Sequence, residues 1–430
     1  MKKFKLLTLI SLVGFLAAAG LTGCDDDDDP VKPQLRVLHM SYDAPAVNIL
    51  IDNQIAAPNL TYPESSGYAK TKEGTRNITV VPNGGSTPVI DTDLTLDAAR
   101  SYTALAVNAV ASIEAIATED DRDPVQDQAK VRFIHASPDA PAVDIRVGSA
   151  SGPAVFGDAA FKDITDYIEV DGGDYVFTVT PAGNTSSTVA RYNPVTLENG
   201  QVYTIVAHGT LDALDEVPFA VRAFVDNGSG ASFVDLTDAN VMAIHASPDA
   251  PPVDLLLDDQ LVGEDLEFPN NTGYLPILSG EQNIKVNAAN TSTTVIDADL
   301  TFATGGSHTS VFAYDELADI TALVLEDDLS VPDGGFAHVR FVHLSPDAPR
   351  VDVAVSGGPV LFADVGFGES DDNGVFTPVA SGTYDLEVRL TNTNTVVLSL
   401  PGITLEDGRI YTVFAKDFVS ALGAEIIVNR

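Results

Sequence analysis

The sequence predicts an all-β protein of four tandem immunoglobulin-like antiparallel β-sandwich domains. Three observations support this prediction. One decapeptide occurs four times, apolar and polar residues alternate with period two, and Gly, Asn, Asp and Pro separate the short apolar runs of each copy. About seven short strands in a copy of about 100 residues favour a sandwich over a barrel.

The repeated decapeptide has the consensus H-x-S-P-D-A-P-x-V-D. Its copies run from His39 to Asn48, His135 to Asp144, His245 to Asp254 and His343 to Asp352. The histidines recur at intervals of about 100 residues, which is too long for a solenoid repeat and suits whole domains. The repeats predict domains at residues 34–126, 127–236, 237–335 and 336–430.

Two further patterns accompany the decapeptide. A Tyr-Thr or His-Thr strand occurs late in each copy, at Tyr102, Tyr203, His308 and Tyr411. Acidic, polar segments at residues 119–128, 226–238 and 326–335 are expected to be linkers between domains. Four compact domains in line would then span on the order of 14 nm.

The first 23 residues predict a cleaved signal peptide. A basic start is followed by an uncharged, mostly apolar run from Leu6 to Gly20, which is shorter than the about 20 residues of a membrane span. The next residues, Leu21-Thr22-Gly23-Cys24, resemble the bacterial lipobox. The resemblance implies that Cys24 is lipidated and becomes the first mature residue, and that residues 24–33 form an acidic tether.

The formal net charge of −39 bears on the partners. An acidic surface repels nucleic acid and anionic lipid headgroups, so no nucleic-acid partner is expected. The lipidated N-terminus predicts membrane attachment in the cell envelope, with the outer membrane, at its surface or periplasmic face, favoured over the inner membrane. An extracellular protein or a polysaccharide is the further partner to be considered.

The decapeptide could be read as a hydrolytic triad of His135, Ser137 and Asp139. Residues i and i+2 on an extended strand are about 6.6 Å apart, whereas a nucleophile and its base must lie within about 3 Å. A metal site is disfavoured because His135 and Asp144 are expected on opposite strand faces. No catalytic residue and no cofactor are therefore expected.

A structural role for the decapeptide has a concrete mechanism. Prolines fix their own φ and restrain the residue before them, so Ser-Pro-Asp-Ala-Pro predicts a stiff corner between the first two strands. Asp139 needs a donor other than Pro141, which has no N–H. We expect a buried bond to Asp139 from the His135 imidazole or from a backbone N–H. The same role is predicted for the other motif residues: His39, Asp43, Asp144, His245, Asp249, Asp254, His343, Asp347 and Asp352.

Calcium remains an alternative at the acidic junctions, because it takes six to eight oxygen ligands. The candidates are Glu119, Asp120, Asp121, Asp123, Glu326, Asp327 and Asp328. The competing interpretation is a solvated acidic surface.

The fourfold decapeptide, a Gly-led middle strand and the Tyr-Thr segment together resemble the bacterial family called domain of unknown function 4397. The resemblance covers residues 35–430, and the first copy departs from it at Tyr42 and Asn48. It implies an extracytoplasmic β domain and no known activity.

Three functional hypotheses remain open. The first is a non-enzymatic envelope lipoprotein that acts as a spacer, an adhesin or an interaction module. The alternative is an envelope ligand- or polysaccharide-binding protein. An envelope hydrolase is a third hypothesis, and it would need polar side chains that converge from different strands.

Overall fold

The computed structural model describes residues 31–211 and 217–430. The predicted signal peptide, Cys24 and most of the acidic tether lie outside these residues. Regular structure in the described part consists of strands and three short 3-10 helices, so the all-β prediction is confirmed. The same part of the chain holds no helix of the length and hydrophobicity that a membrane span requires.

The elements follow the four predicted copies. The first domain holds β1 (Gln34–His39), β2 (Val47–Ile51), β3 (Gln54–Leu60), β4 (Ala69–Lys70), β5 (Gly74–Pro82), β6 (Ile90–Leu96), β7 (Ser101–Val107), η1 (Val110–Ser112) and β8 (Glu114–Asp120). The second holds β9 (Gln128–His135), β10 (Val143–Val147), β11 (Ala154–Ala159), β12 (Ile168–Asp171), β13 (Gly173–Tyr175), β14 (Phe177–Pro181), β15 (Ala190–Arg191), β16 (Val195–Leu197), β17 (Val202–His208), β18 (Ala220–Val225) and β19 (Phe233–Asp235). The third holds β20 (Ala239–Ala246), β21 (Val253–Leu257), β22 (Gln260–Leu266), β23 (Leu275–Ile277), β24 (Gly280–Ala288), β25 (Thr294–Phe302), β26 (Ser307–Tyr314) and β27 (Thr321–Asp327). The fourth holds β28 (Phe336–His343), β29 (Val351–Val355), β30 (Val360–Val365), β31 (Glu369–Ser370), η2 (Asp371–Gly374), β32 (Thr377–Ala380), β33 (Gly382–Leu390), β34 (Val396–Leu405), β35 (Ile410–Lys416), η3 (Val419–Ala421) and β36 (Gly423–Val428).

Each domain is a sandwich of two sheets with the same strand order. In the first domain the orders are β4-β1-β7-β8 and β3-β2-β5-β6, and the other three domains are built on the same scheme. The second domain adds β19 at the edge of one sheet and holds β13 and β16 as a separate two-stranded sheet. One ladder in each domain differs from the antiparallel prediction: the first strand pairs in parallel with the strand that holds the Tyr-Thr segment, as β1 does with β7. Every other ladder between the described strands is antiparallel.

The strand register corrects one landmark of the third copy. Leu35 pairs with Tyr102 in the first domain, and the equivalent Val241 pairs with Thr309 in the third. His308 therefore takes the position of Ser101, not that of a tyrosine. The sequence alignment was wrong by one residue because Tyr-Thr and His-Thr look alike without the partner strand.

Each sandwich closes an apolar interior of its own, as the alternation predicts. In the second domain Val131, Phe133 and Ile145 lie in this interior and are almost completely buried. The other three domains have equivalent clusters.

Two additional cores lie between domains and were not predicted. Leu38 and Met40 of the first domain pack with Ile134 and Phe224 of the second. A matching cluster joins the third and fourth domains, and its members include Met242, Phe312, Val342 and Phe414. Strands such as β9 are therefore buried on both faces, and the domains form two pairs packed sheet against sheet. The expectation of four domains in line is wrong for these pairs.

The predicted acidic linkers are also partly structural. Glu119 and Asp120 end β8, Glu326 and Asp327 end β27, and residues 233–235 form β19 at the edge of the second domain. Asp120, Asp226 and Asp327 are buried. Composition suggested solvated linkers because a charged residue is seldom buried unless a partner from elsewhere in the fold neutralises it.

The second and third domains also touch. The side-chain carbonyl of Asn193 accepts a hydrogen bond from the backbone N–H of Ser279 at 2.9 Å, and its backbone N–H donates to Thr237 at 2.7 Å. This polar contact is small compared with the apolar cores inside each pair.

We predict that a segment holding one pair is more stable than a two-domain segment that splits both pairs. Residues 31–236 keep the core around Leu38 and Phe224, whereas residues 127–335 expose Ile134, Phe224 and Phe312. Burial of each large apolar side chain contributes about 1.5–3 kcal/mol. Urea unfolding of the two purified segments should give a clearly higher midpoint for residues 31–236. Equal midpoints would contradict the assignment of the pair as the stable unit.

Candidate functional site

The four motif histidines occupy the same environment. Each ring is fully buried, and its Nε2 lies 3.0–3.1 Å from the carbonyl oxygen of the second motif proline: Pro45, Pro141, Pro251 and Pro349. A carbonyl only accepts, so Nε2 carries a proton. Burial lowers the pKa of all four rings and so favours the neutral Nε2–H form. Each ring also packs edge-to-face against an aromatic side chain, with ring centroids 6.1–6.5 Å apart. The aromatic partners, in the order of the four copies, are Tyr62, Phe161, Phe268 and Phe367.

The first motif aspartate ties the corner to the turn after the parallel-paired strand. The carboxylates of Asp43, Asp249 and Asp347 accept backbone N–H bonds of 2.6–2.7 Å from Val110, Leu317 and Val419. Asp139 accepts the equivalent bond from Leu211 at 2.8 Å. Of the two predicted arrangements, the structure has the bond from the backbone. The expectation of burial is wrong, because these aspartates are exposed at the end of the sandwich.

The second motif aspartate holds an irregular segment of the neighbouring strand. The Oδ1 atoms of Asp144, Asp254 and Asp352 accept the backbone N–H of Asp158, Asp265 and Asp364 at 2.8–2.9 Å. These three donor residues have a positive φ. In the first copy the donor is Asn59, which also has a positive φ and whose backbone N–H donates to the side-chain oxygen of Asn48. The first copy therefore keeps this hydrogen bond although Asn48 replaces the aspartate. Burial raises the pKa of Asp144 and Asp352, but backbone N–H donors outweigh it and leave both values lowered.

The motif histidines and the first motif aspartates are thus engaged in bonds to the main chain. The hydroxyl of Ser137, the nucleophile of the rejected triad, donates to the carbonyl of Gly209 at 2.8 Å. His135 donates to a carbonyl as well. The arrangement can stiffen a corner, but it does not supply the contact between nucleophile and base that a triad needs.

Sequence reasoning missed the polar network inside the interface between the first and second domains. Arg36 on β1 is fully buried, and its guanidinium pairs with Asp226, at the end of the second domain, at 2.7 Å. Its Nε donates to Thr103 at 2.8 Å. Tyr167 donates a 2.8 Å hydrogen bond to the same Asp226. Burial lowers the pKa of Arg36, yet the carboxylate of Asp226 raises it overall, so the group is charged.

The reciprocal bond completes the network. Arg132 on β9 pairs with Asp120, at the end of the first domain, and its Nε donates to Thr204 at 2.9 Å. Tyr68 donates to Asp120 at 2.8 Å. The arginine of each domain therefore pairs with an aspartate of the other domain. The signal in the sequence was an arginine three residues before the motif histidine, inside an otherwise apolar strand.

Between the third and fourth domains, one of these two ion pairs is present and the other is replaced. Arg340 pairs with Asp327 at 2.6 Å, and both side chains are completely buried. The reciprocal positions hold Met242 in place of arginine and Asn429 in place of aspartate. The two members of one ion pair have thus been replaced together, and neither domain is left with an unpaired charge.

Other groups engage the carboxylates of five of the calcium candidates: Glu119, Asp120, Asp121, Asp327 and Asp328. Asp120 and Asp327 face the buried arginines, Asp121 pairs with Lys130 at 2.9 Å, and Glu119 pairs with Arg100 at 2.8 Å. The hydrogen bond from Lys130 lowers the pKa of Asp121. Within residues 31–211 and 217–430, no three His, Cys, Asp or Glu side chains are grouped so that they could hold a metal ion.

Comparison with known proteins gives a family but no activity. The family model "Domain of unknown function (DUF4397)" matches residues 33–146, 149–234, 239–354 and 346–430. The first and third matches continue into the first strands of the following domain. No curated protein matches the chain. Among solved structures, the Bacillus anthracis TIE protein aligns over 92% of this chain and 75% of its own, with 8% identity and a TM-score of 0.15.

We predict that the buried ion pairs behave as coupled units. Arg36→Met leaves the Asp226 charge buried without its partner and should destabilise the first pair by about 3–5 kcal/mol. The double variant Arg36→Met, Asp226→Asn copies the natural combination of Met242 and Asn429 and should recover more than half of that loss. Urea unfolding of the mature chain measures both.

The control for this prediction is Arg76→Met, which removes the partially exposed pair of Arg76 with Asp52. An exposed pair contributes about 0–1 kcal/mol, so this variant should change little. A double variant no more stable than Arg36→Met would show that the two charges are not coupled.

The buried histidines predict a loss of stability at mildly acidic pH. Burial lowers the pKa of the four motif histidines below 6.5, and burial together with Arg222 lowers that of His208 to about 4. The unfolded chain binds protons near pH 6.5 and the folded rings do not. The stabilisation is therefore complete above this pH and decreases as the pH falls toward 4.

Nitrogen-15 NMR of the imidazole rings checks this, because the four motif rings should be neutral above pH 6.5, with the proton on Nε2, and should titrate below that pH. His208→Gln should flatten the decline of the unfolding free energy between about pH 6.5 and 4.5. Motif rings that become charged at or above pH 6.5 would contradict this prediction, because burial lowers their pKa below that value.

Proposed function

Because the chain belongs to the DUF4397 family, whose description assigns no activity, we propose a function from its geometry: a non-enzymatic cell-envelope lipoprotein that serves as a spacer, an adhesin or an interaction module. The main support is the environment of the motif. In all four copies its histidine and aspartate side chains bond the main chain at equivalent atoms. A side chain that fixes a corner in this way is not available as a base or nucleophile.

The domain pairs support the mechanical part of the proposal. A single sandwich on a flexible tether can reorient freely, whereas two sandwiches that share a core and buried ion pairs move as one body. The chain therefore carries two stiff units in place of four loose ones. Such units suit a protein that holds a binding surface at a distance from the membrane.

The location is proposed from the N-terminal sequence. Cys24 carries the lipid, residues 24–33 form the tether, and the first pair begins at β1. The outer membrane is favoured over the inner membrane. One acyl chain alone gives only reversible attachment, so stable anchoring needs more than one.

We predict that the precursor, expressed in a bacterial host, is processed at Cys24 and fractionates with membranes. Mass spectrometry of the purified N-terminal peptide should show an acylated cysteine. Cys24→Ser, which changes only the thiol, should leave the protein unacylated and release it from the membrane fraction. An unmodified Cys24 in the mature protein would contradict the proposal.

Protease treatment of intact cells tests the presenting role. If the protein is displayed on the surface, added protease should digest it on intact cells. The Cys24→Ser variant, which lacks the anchor, should not remain attached to these cells. Complete protection of the anchored protein would restrict the function to the periplasm and exclude adhesion.

A further inference from the structure

A cavity of about 640 Å³ lies where the second domain meets the pair of the third and fourth domains. Polar side chains line it, among them Asp238, Asn240, Tyr274, His308 and Asn429. Ligand sites of small molecules usually have a volume of about 300–1,000 Å³ and lie preferentially at domain interfaces. The cavity falls within this range and lies at such an interface.

The first domain pair shows what fills the equivalent place. There Arg122 stacks on Tyr68, with its guanidinium carbon 3.8 Å from the ring centroid. The same guanidinium donates to the Gln34 side chain at 3.1 Å and to the Ser101 hydroxyl at 3.3 Å. It also donates to the backbone carbonyls of Asp226 at 2.6 Å and Gly228 at 2.7 Å.

Strand register makes the correspondence residue by residue. Gln34 pairs with Ser101 in the first domain, and Asn240 pairs with His308 in the third. Tyr68 donates to Asp120, and Tyr274 donates to Asp327 at 2.5 Å. Two residues after these aspartates the first domain has Arg122 and the third has Leu329.

The third domain therefore lacks the arginine and keeps part of its surroundings. An aromatic ring, an amide side chain and a polar group remain at the positions of Tyr68, Gln34 and Ser101. His308 meets the Tyr274 ring edge-on, with the ring centroids 4.8 Å apart. Met242, in place of Arg36, removes the second guanidinium that lies over the ring in the first pair.

Charge at the cavity also favours a cation. Asp238 stands at the position of Lys32 in the first domain, so a negative group replaces a positive one. Asp328 also lines the cavity, and the hydroxyl and backbone N–H of Ser330 lower its pKa. Arg430 is the opposing charge; it donates to the carbonyl of Leu329 at 2.9 Å on one wall, and the cavity persists beside it.

We propose that this cavity binds a guanidinium group supplied in trans, in the position that Arg122 takes within the first pair. The Tyr274 ring stacks on the guanidinium plane, Asn240 and His308 accept its N–H groups, and Asp238 supplies the countercharge. The occupant is an arginine side chain of a partner or a small guanidinium compound. This inference stands on the domain geometry and does not depend on the proposed envelope location.

Calorimetric titration of the mature chain with N-acetyl-arginine amide tests the site. The wild-type protein should bind the probe, and the amide of N-acetyl-citrulline, which has nearly the same shape but no charge, should bind at least about tenfold more weakly. No saturation below about 10 mM, or equal binding of the two amides, would overturn the proposal.

The decisive variant is Leu329→Arg, which restores the internal arginine. It should abolish probe binding and raise the Tm of the mature chain, two changes that a misfolded protein cannot show together. Leu329→Gln adds similar length without charge and should leave binding within about threefold of wild type. Asp238→Asn should weaken binding severalfold. Unchanged binding in Leu329→Arg would place the probe elsewhere.

The source of the guanidinium follows from two further probes. Tighter binding of the peptide Gly-Arg-Gly than of agmatine assigns the site to an arginine of a partner polypeptide. The opposite order assigns it to a small guanidinium compound. Both results support the site itself.

Discussion

The structure depends on two buried ion pairs that cross between neighbouring domains, Arg36 with Asp226 and Arg132 with Asp120. An unpaired charge in a protein interior costs several kcal/mol, and each of these arginines pairs with a carboxylate of the other domain. Each sandwich is therefore complete only beside its neighbour. The apolar contacts of the same interface supply binding energy, while the ion pairs fix which faces meet and in which orientation.

The decapeptide acts inside each domain and the arginine acts between domains. The histidine and the two aspartates join the corner, a turn and an irregular strand segment through main-chain bonds. These bonds recur in all four copies, with Asn48 in place of the second aspartate in the first. The interface residues differ between the two pairs. The repeat thus combines a uniform corner with an interface in which the copies can diverge without loss of the sandwich.

Divergence between the two pairs is concerted. Met242 and Asn429 replace the two members of one ion pair, which keeps the interface free of an uncompensated charge. Leu329 stands at the position of Arg122, which bridges the two domains of the first pair. The Tyr274 ring and the polar side chains of Asn240 and His308 remain, and they line a cavity. Arg122 satisfies these groups within the first pair, and in the second pair the proposed guanidinium ligand would take its place.

The sequence by itself determined the repeat, the all-β class, the four sandwiches and the stiff corner, because alternation, turn residues and proline act over a few neighbouring residues. Only the tertiary structure decided the parallel ladder, the pairing of domains and the partners of Asp120, Asp226 and Asp327. From the sequence alone, an arginine in an apolar strand is expected to face solvent, and an acidic segment is expected to be a linker. The partner of Asp226 lies in the preceding domain, and the partners of Asp120 and Asp327 lie in the following one. Distance along the chain carries no information about which opposite charge will be close enough to offset desolvation.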